Sequence, residues 1–484
     1  MATTIIQKPL YPTLPVGQPV IFTVENNGIV YGQEQVKFTA EVHISDTITP
    51  DLTSTTHIVG TFKTTPNNAG SGIFDLSSVI ENYVSADNVP INESLCTYKT
   101  LALNKFPSLP IHLIDKYSGN KNTARWLAIK FKVEYLDLDV TSNTYNQIIS
   151  VEEINTQEYI VFNGYLKEDD ELEEALYTNN FGYNLQDFYF IENKERKFLS
   201  NAPLIQYANI DDYGTVALDM RNPITKGFTS PGTAGSSGVR IKYYDHDGSA
   251  LGSEVVTHNV INGGFSYANA NIYSRILYLG IFPANLKGWS TMFQGYVTAG
   301  TVASYTLAVV TGGLVNMSST YQIKINCPTL KGYKPIRLTW LNQWGAWDYY
   351  TFTMKSSKSL TTKKTKYQQL AGTWNESTYK INGYKGGNKT FRVNATEVIK
   401  MNTDFVNEDE SAWFEELINS PEVYLLEGFQ DDKVSTSTTS ALNKYVTPVM
   451  LKTSQWTKKT KANDKLIQYT FEVEKSKTLR TQSI

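Results

Sequence analysis

Residues 35–44 read QVKFTAEVHI. Val36, Phe38, Ala40, Val42 and Ile44 share one side, and Lys37, Thr39, Glu41 and His43 share the other. A period of two marks a strand with one buried face. RWLAIKFKVEYL (125–136) repeats the pattern, with Ile129, Phe131, Val133 and Tyr135 opposed to Lys130, Lys132 and Glu134. Between them GIFDLSSVIENYV (72–84) changes period. Its Val79, Ile80, Tyr83 and Val84 have helical spacing, and Asp75 or Ser77 is placed to cap a short helix. Residues 1–150 therefore read as an N-terminal β-sandwich domain with one short helix.

The bulk composition agrees with a mainly β chain. Charged residues are 19 % of the 484, below the usual ~25 %, while there are 31 tyrosines. The net charge of −3 lacks the basic balance of a nucleic-acid binder. Two cysteines, Cys96 and Cys327, exclude a disulfide framework and a four-cysteine zinc site. The opening MATTIIQKPLYPTLPVGQPV has no charged segment followed by an apolar one, so no secretory signal is expected. No run of ~18 apolar residues predicts a membrane span. Synthesis in a cytoplasm is the expectation.

Residues 151–331 read as a middle β-rich domain, inserted between the other two. KEDDELEEALY (167–177) predicts a solvated helix whose early acids favour its N-terminal dipole. FTSPGTAGSSGV (228–239) reads as a loop between strands. IKYYDHDGSALGSEVV (241–256) predicts a hairpin with HDGS at its turn. DHDG begins a calcium-loop pattern without completing it, so turn chemistry is the better reading. The strand density resembles a jelly roll or sandwich.

Residues 332–484 read as a C-terminal β-rich domain with one helix. In NEDESAWFEELINSPEVYLLEG (407–428), Asn407 and Glu410 form a capping-box pattern. Trp413, Phe414, Leu417 and Ile418 make the apolar stripe, and Pro421 stops the helix. KLIQYTFEVEKS (465–476) predicts the last strand. KSSKSLTTKKTK (355–366) has five lysines and suits a surface loop or a protected edge strand, with a contact between subunits as the rival use. The fold class expected is mainly β, multi-domain, β-sandwich or jelly-roll-like, with a few short helices.

Catalytic signatures are missing from the sequence. It has no serine elbow, phosphate loop, HExxH or CxxC. The five histidines (His43, His57, His112, His246 and His258) are scattered singly, without ligand spacing. Forty-seven acids could supply a carboxylate pair for glycoside hydrolysis, but the sequence singles out none. No catalytic residue, metal or cofactor is expected.

TWLNQWGAWDYYTFTM (339–354) holds three tryptophans and two tyrosines. Asn342 and Gly345 separate two aromatic strand-like runs, as in a hairpin or bulge, and Asp348 suits binding of turn amides. Trp347, Tyr349 and Thr351 share one face of the second run, and Asp348, Tyr350 and Phe352 the other. A strand aromatic on both faces is covered on both, one side by its own core and the other by a neighbouring subunit. Trp340, Trp344, Trp347, Tyr349 and Tyr350 are the interface candidates, with a carbohydrate platform or a catalytic pocket wall as the alternatives.

The stretch resembles a W-x-N-x-x-G-x-x-D-x-x-x-F core of virion proteins from tailed phages of Bacteroidetes-like hosts and uncultured marine phages. It falls here on Trp340, Asn342, Gly345, Asp348 and Phe352. The resemblance extends to KFTAEV, then to Gly72, Phe74, Asp75, Leu76, Ser77, Ile80, Tyr83 and Val84, and to SPEVYLLE with LIQYTFEVE. It covers the first and third segments and leaves the middle unmatched. It implies a non-enzymatic structural subunit of the tail or baseplate, distal-tail-like, that assembles into a symmetric oligomer. Its partners would be copies of itself and other virion proteins, and it would reside in the virion. The alternatives are a tail fibre gripping host surface glycans through Tyr243, Tyr244 and Tyr273 of the middle domain, or a head fibre or decoration protein.

Overall fold

The fold was obtained as a computed structural model. It describes residues 2–45, 52–53, 55–85, 117–119, 123–166, 172–174, 181–183, 196–219, 236–257, 276–326, 332–374, 376–381, 383–426, 446–453, 455, 457–459 and 467–480. The chain is mainly β, with several antiparallel and mixed sheets and a few short helices. It divides into two compact units. The first holds residues 1–326 together with 341–348, and the second holds 327–340 and 349–484.

The alternating stretches build the first core of the first unit. Glu34–Ser45 and Ala124–Leu136 pair antiparallel, with Phe38 opposite Val133 and Val42 opposite Ile129. Ile58–Thr64, Ile148–Asn155, Tyr159–Phe162 and Thr13–Pro15 complete this sheet, so it reaches past residue 150. A second sheet contains Thr4–Gln7, Ile21–Glu25 and Ser71–Asp75. Between the two, Phe22 meets Phe131 at 5.8 Å and Tyr159 at 5.6 Å, and Phe74 meets Phe131 at 5.5 Å. These buried aromatics form one continuous apolar layer with Val24, Val42 and Val161. The expected short helix is Ser77–Ile80, and the Asp75 carboxylate accepts from the Ser77 amide at its start.

On the polar side of this sheet, Glu41 accepts from His43 Nε2 at 2.7 Å and lies 3.6 Å from Lys130 and 3.8 Å from Lys132. Burial raises the Glu41 pKa. The His43 hydrogen bond and the charges of Lys132 and Lys130 outweigh it, leaving the carboxyl below its ordinary value.

Further along the first unit, Ile205–Ala208, Tyr321–Ile325, Ser304–Thr311, Ser236–Tyr244 and Ala250–Thr257 form a five-stranded sheet. The expected hairpin is its last pair. At the turn Asp245 Oδ1 accepts from the Asp247 and Ser249 amides, and Gly248 has φ +82°. The Asp and Gly of this motif thus act on the backbone. Thr215–Asp219, Ile276–Gly280 and Tyr117–Gly119 make a smaller sheet.

Three features depart from the sequence reading. Two helices, Pro283–Trp289 and Thr291–Ala299, interrupt the strands; Pro283 starts the first and Ser290 caps the second. Leu172–Glu174, inside the expected acidic helix, is a strand paired with Phe181–Tyr183; the rest of 167–177 lies outside the described residues. Strand Ser236–Tyr244 begins inside the expected loop 228–239, whose first part also lies outside the described residues.

The second unit centres on one eight-stranded sheet. Its order is Trp347–Phe352, Ile336–Leu341, Val423–Leu426, Val446–Leu451, Thr470–Lys475, Gly387–Asn402 and Ser356–Gln369, with Leu479–Arg480 beside Gly387–Asn402. Helix Glu408–Asn419 buries Trp413, Phe414 and Leu417. Its capping box is complete: Asn407 Oδ1 accepts from the Glu410 amide at 2.7 Å, and Glu410 accepts from the Asn407 amide at 2.8 Å. Among the described residues no helix is long and apolar enough to cross a membrane.

Candidate functional site: the aromatic hairpin

The candidate site starts from two short aromatic runs and the turn joining them. Ile336–Leu341 is buried along its whole length, and Trp347–Phe352 nearly so. Asn342 organises the turn. Its amide donates to the Ala346 carbonyl at 2.8 Å, and its Oδ1 accepts from the Trp344 and Ala346 amides at 3.0 Å each. Gly345 takes φ +70°, in the left-handed region that an L side chain resists.

This turn is part of the first unit and is bound into it. Asn342 Nδ2 donates to the Leu199 carbonyl at 2.9 Å. The Tyr165 amide donates to the Gln343 carbonyl at 2.8 Å, and the Tyr278 hydroxyl to the Gly345 carbonyl at 3.2 Å. An ideal Cβ on Gly345 would lie 1.8 Å from the Asn163 carbonyl oxygen. Asp348, expected to hold turn amides, accepts from the Ser200 hydroxyl at 2.6 Å.

In the second unit the remaining aromatics close around the helix. Trp340 packs 4.9 Å from Trp413, and Tyr350 lies 4.8 Å edge-on to Phe414. Phe352 packs against Tyr350 at 4.9 Å and Phe471 at 5.8 Å. Arg337 donates to Thr351 Oγ1 at 2.7 Å and stands 5.2 Å over the Tyr349 ring. Burial pushes the Tyr350 phenol well above its ordinary pKa, reinforced by the negative charge of Glu410.

The interface candidates are thus already covered by their own chain. Trp340, Trp344, Trp347 and Tyr349 are buried, and Tyr350 is partly so. Of the glycan candidates, Tyr243 is fully buried. It donates to Glu254 Oε1 at 2.5 Å and stacks near Phe293 and Tyr296. Burial, followed by the Glu254 hydrogen bond, pushes its phenol far above the usual value. Tyr244 is partly exposed, and Tyr273 lies outside the described residues. Among the described residues no three His, Cys, Asp or Glu side chains are placed together to hold a metal ion.

The tip beyond the lysine-rich segment carries no signal in the sequence. Trp374, Tyr379, Ile381 and Tyr384 stand in solvent there, and nothing in their spacing marks a fold element.

No family model matches the chain, and no curated protein matches it. Among solved structures it is similar to the native conformation of E. coli alpha-2-macroglobulin, at 8 % identity and a TM-score of 0.18. The match covers 82 % of this chain and 22 % of that one, so this chain spans about a fifth of that protein's length. A similarity at that TM-score carries no argument.

Proposed function

We propose that the protein is a non-enzymatic structural subunit of a tailed-phage virion, an adaptor of the tail or baseplate that works by assembling with copies of itself. The aromatic hairpin carries this reading. Each residue resembling the virion-protein motif has an architectural task. Trp340 and Phe352 fill the core of the second unit, Asn342 and Gly345 shape the turn, and Asp348 ties it to Ser200. A motif whose polar members are all occupied in folding fits a protein whose work is shape and contact rather than turnover. Its other partners would be neighbouring virion proteins.

Single-particle electron microscopy of the purified chain at micromolar concentration tests the reading. Closed rings or regular polymers are expected. A chain that stays monomeric at every concentration reached counts against it.

A further inference from the structure

Strands Ser356–Gln369 and Gly387–Asn402 pair along their length, from Ser356 opposite Met401 to Gln369 opposite Gly387. The sheet supports only the base of this ribbon. Thr470–Lys475 joins at residues 398–402 and Leu479–Arg480 at 394–395. Beyond that point no third strand flanks the ribbon among the described residues. Six further residue pairs, from Lys364 opposite Val393 to Gln369 opposite Gly387, at ~3.4 Å each carry it roughly 20 Å onward. Nearly every residue of Ser356–Gln369 is exposed, on both faces.

Two properties of this arm call for a partner. The first is charge. Residues 355–392 carry nine lysines and arginines against one acid, Glu376. The whole chain is −3, so this stretch at +8 leaves all other residues together at −11. Lys358 sits 3.4 Å from Glu397 at the base. Further out, no acid pairs with Lys363, Lys364, Lys366, Lys380 or Lys389 among the described residues. The second property is the tip. Leu370, Trp374, Tyr379, Ile381 and Tyr384 are between 52 % and 80 % exposed. Lysines alone would suit a guarded edge strand, but that role does not account for apolar side chains held out in water.

We infer that this ribbon is an assembly arm that docks on a second copy of the same chain, drawn by the net negative charge of that copy's other residues, with its apolar tip meeting exposed apolar side chains there. The inference rests on the self-assembly proposed above and names the contact that performs it. The rest of the chain has the complementary charge. Exposed Leu370 and Ile381 need an apolar protein site, which the phosphate backbone of a nucleic acid does not offer. Such a contact joins two different surfaces, so it closes a two-fold dimer when two copies exchange arms and builds a ring or filament when it repeats head to tail.

Sedimentation velocity of the full chain, at low and high salt, tests this beside two variants: K363E/K364E/K366E and W374A/Y384A. All substituted side chains are exposed, and circular dichroism checks that the fold is kept. The expected result is a salt-sensitive oligomer of the native chain, weakened about tenfold or more in either variant. If native chain and variants oligomerise equally, the arm is not the contact, and the self-assembly reading survives. If no oligomer forms, both fall. If the native chain stays monomeric yet binds a labelled DNA duplex, and K363E/K364E/K366E does not, the arm belongs to nucleic acid and the inference is overturned.

Discussion

Gly345 and Gly248 both have positive φ, +70° and +82°, yet a methyl group would meet different surroundings. At Gly345 it would strike the Asn163 carbonyl; at Gly248 it would meet nothing within 4 Å. Gly248→Ala should therefore cost only the backbone strain, about 1 kcal/mol. Gly345→Ala should cost about 3 kcal/mol or more, or prevent folding, because the turn must also move. Thermal melts of the two variants give the comparison, and equal losses would refute the close approach. Glu397 supplies a pH test. Burial raises its pKa, but the Lys475 hydrogen bond and the charges of Lys475 and Lys358 prevail and lower it. A lowered carboxylate stabilises the fold above its unfolded pKa, and that contribution disappears as pH falls through the folded value. Glu397→Gln should lose about 0.5–1 kcal/mol at neutral pH, a modest figure for a partly exposed pair. The gap from the native protein should narrow below the ordinary carboxylate value of 4.5.

Among the elements, helix Glu408–Asn419 was the most legible in sequence, because its signals are local. Asn407 and Glu410 are three residues apart, and the stripe of Trp413, Phe414 and Leu417 lies on one face. Removing the cap with Asn407→Ala should cost about 1 kcal/mol. Trp413→Ala leaves a cavity against Trp340 and should cost about 3–5 kcal/mol. Chemical denaturation followed by tryptophan emission ranks the two, and a larger loss from the cap would contradict this packing. The strands at 35–44 and 125–136 were legible for the same reason, since their alternation is self-contained. The ribbon was not. A strand exposed on both faces carries no alternation, so its lysines and threonines read equally as loop or edge. Leu172–Glu174 shows the opposite failure, where pairing with Phe181–Tyr183 overrides an acidic, helix-like composition.

For the molecule as a whole, the long-range ties mattered most and were invisible in the sequence. Asn342 finds Leu199 across 143 residues, and Asp348 finds Ser200 across 148. The hairpin itself was foreseeable from Asn and Gly between aromatic runs, but its burial partners were not. Trp340, Trp344, Trp347, Tyr349 and Tyr350 stand out in the sequence by aromatic density, and density alone does not tell a chain's own core from a neighbour's. A fragment of residues 1–326 lacks the turn that hydrogen-bonds Tyr165, Leu199, Ser200 and Tyr278. Its melting temperature should fall below that of the corresponding transition in the full chain. An unchanged transition in scanning calorimetry would mean that segment 341–348 contributes nothing to the first unit.

That segment also sets an order on synthesis. The first unit is complete in sequence at residue 326 except for a piece that ends at 348, after the first strand of the second unit. At ~5–20 residues per second, the ribosome needs about 1–4 s to supply those 22 residues. During that pause the nascent first unit is unfinished, its final wedge still to be translated.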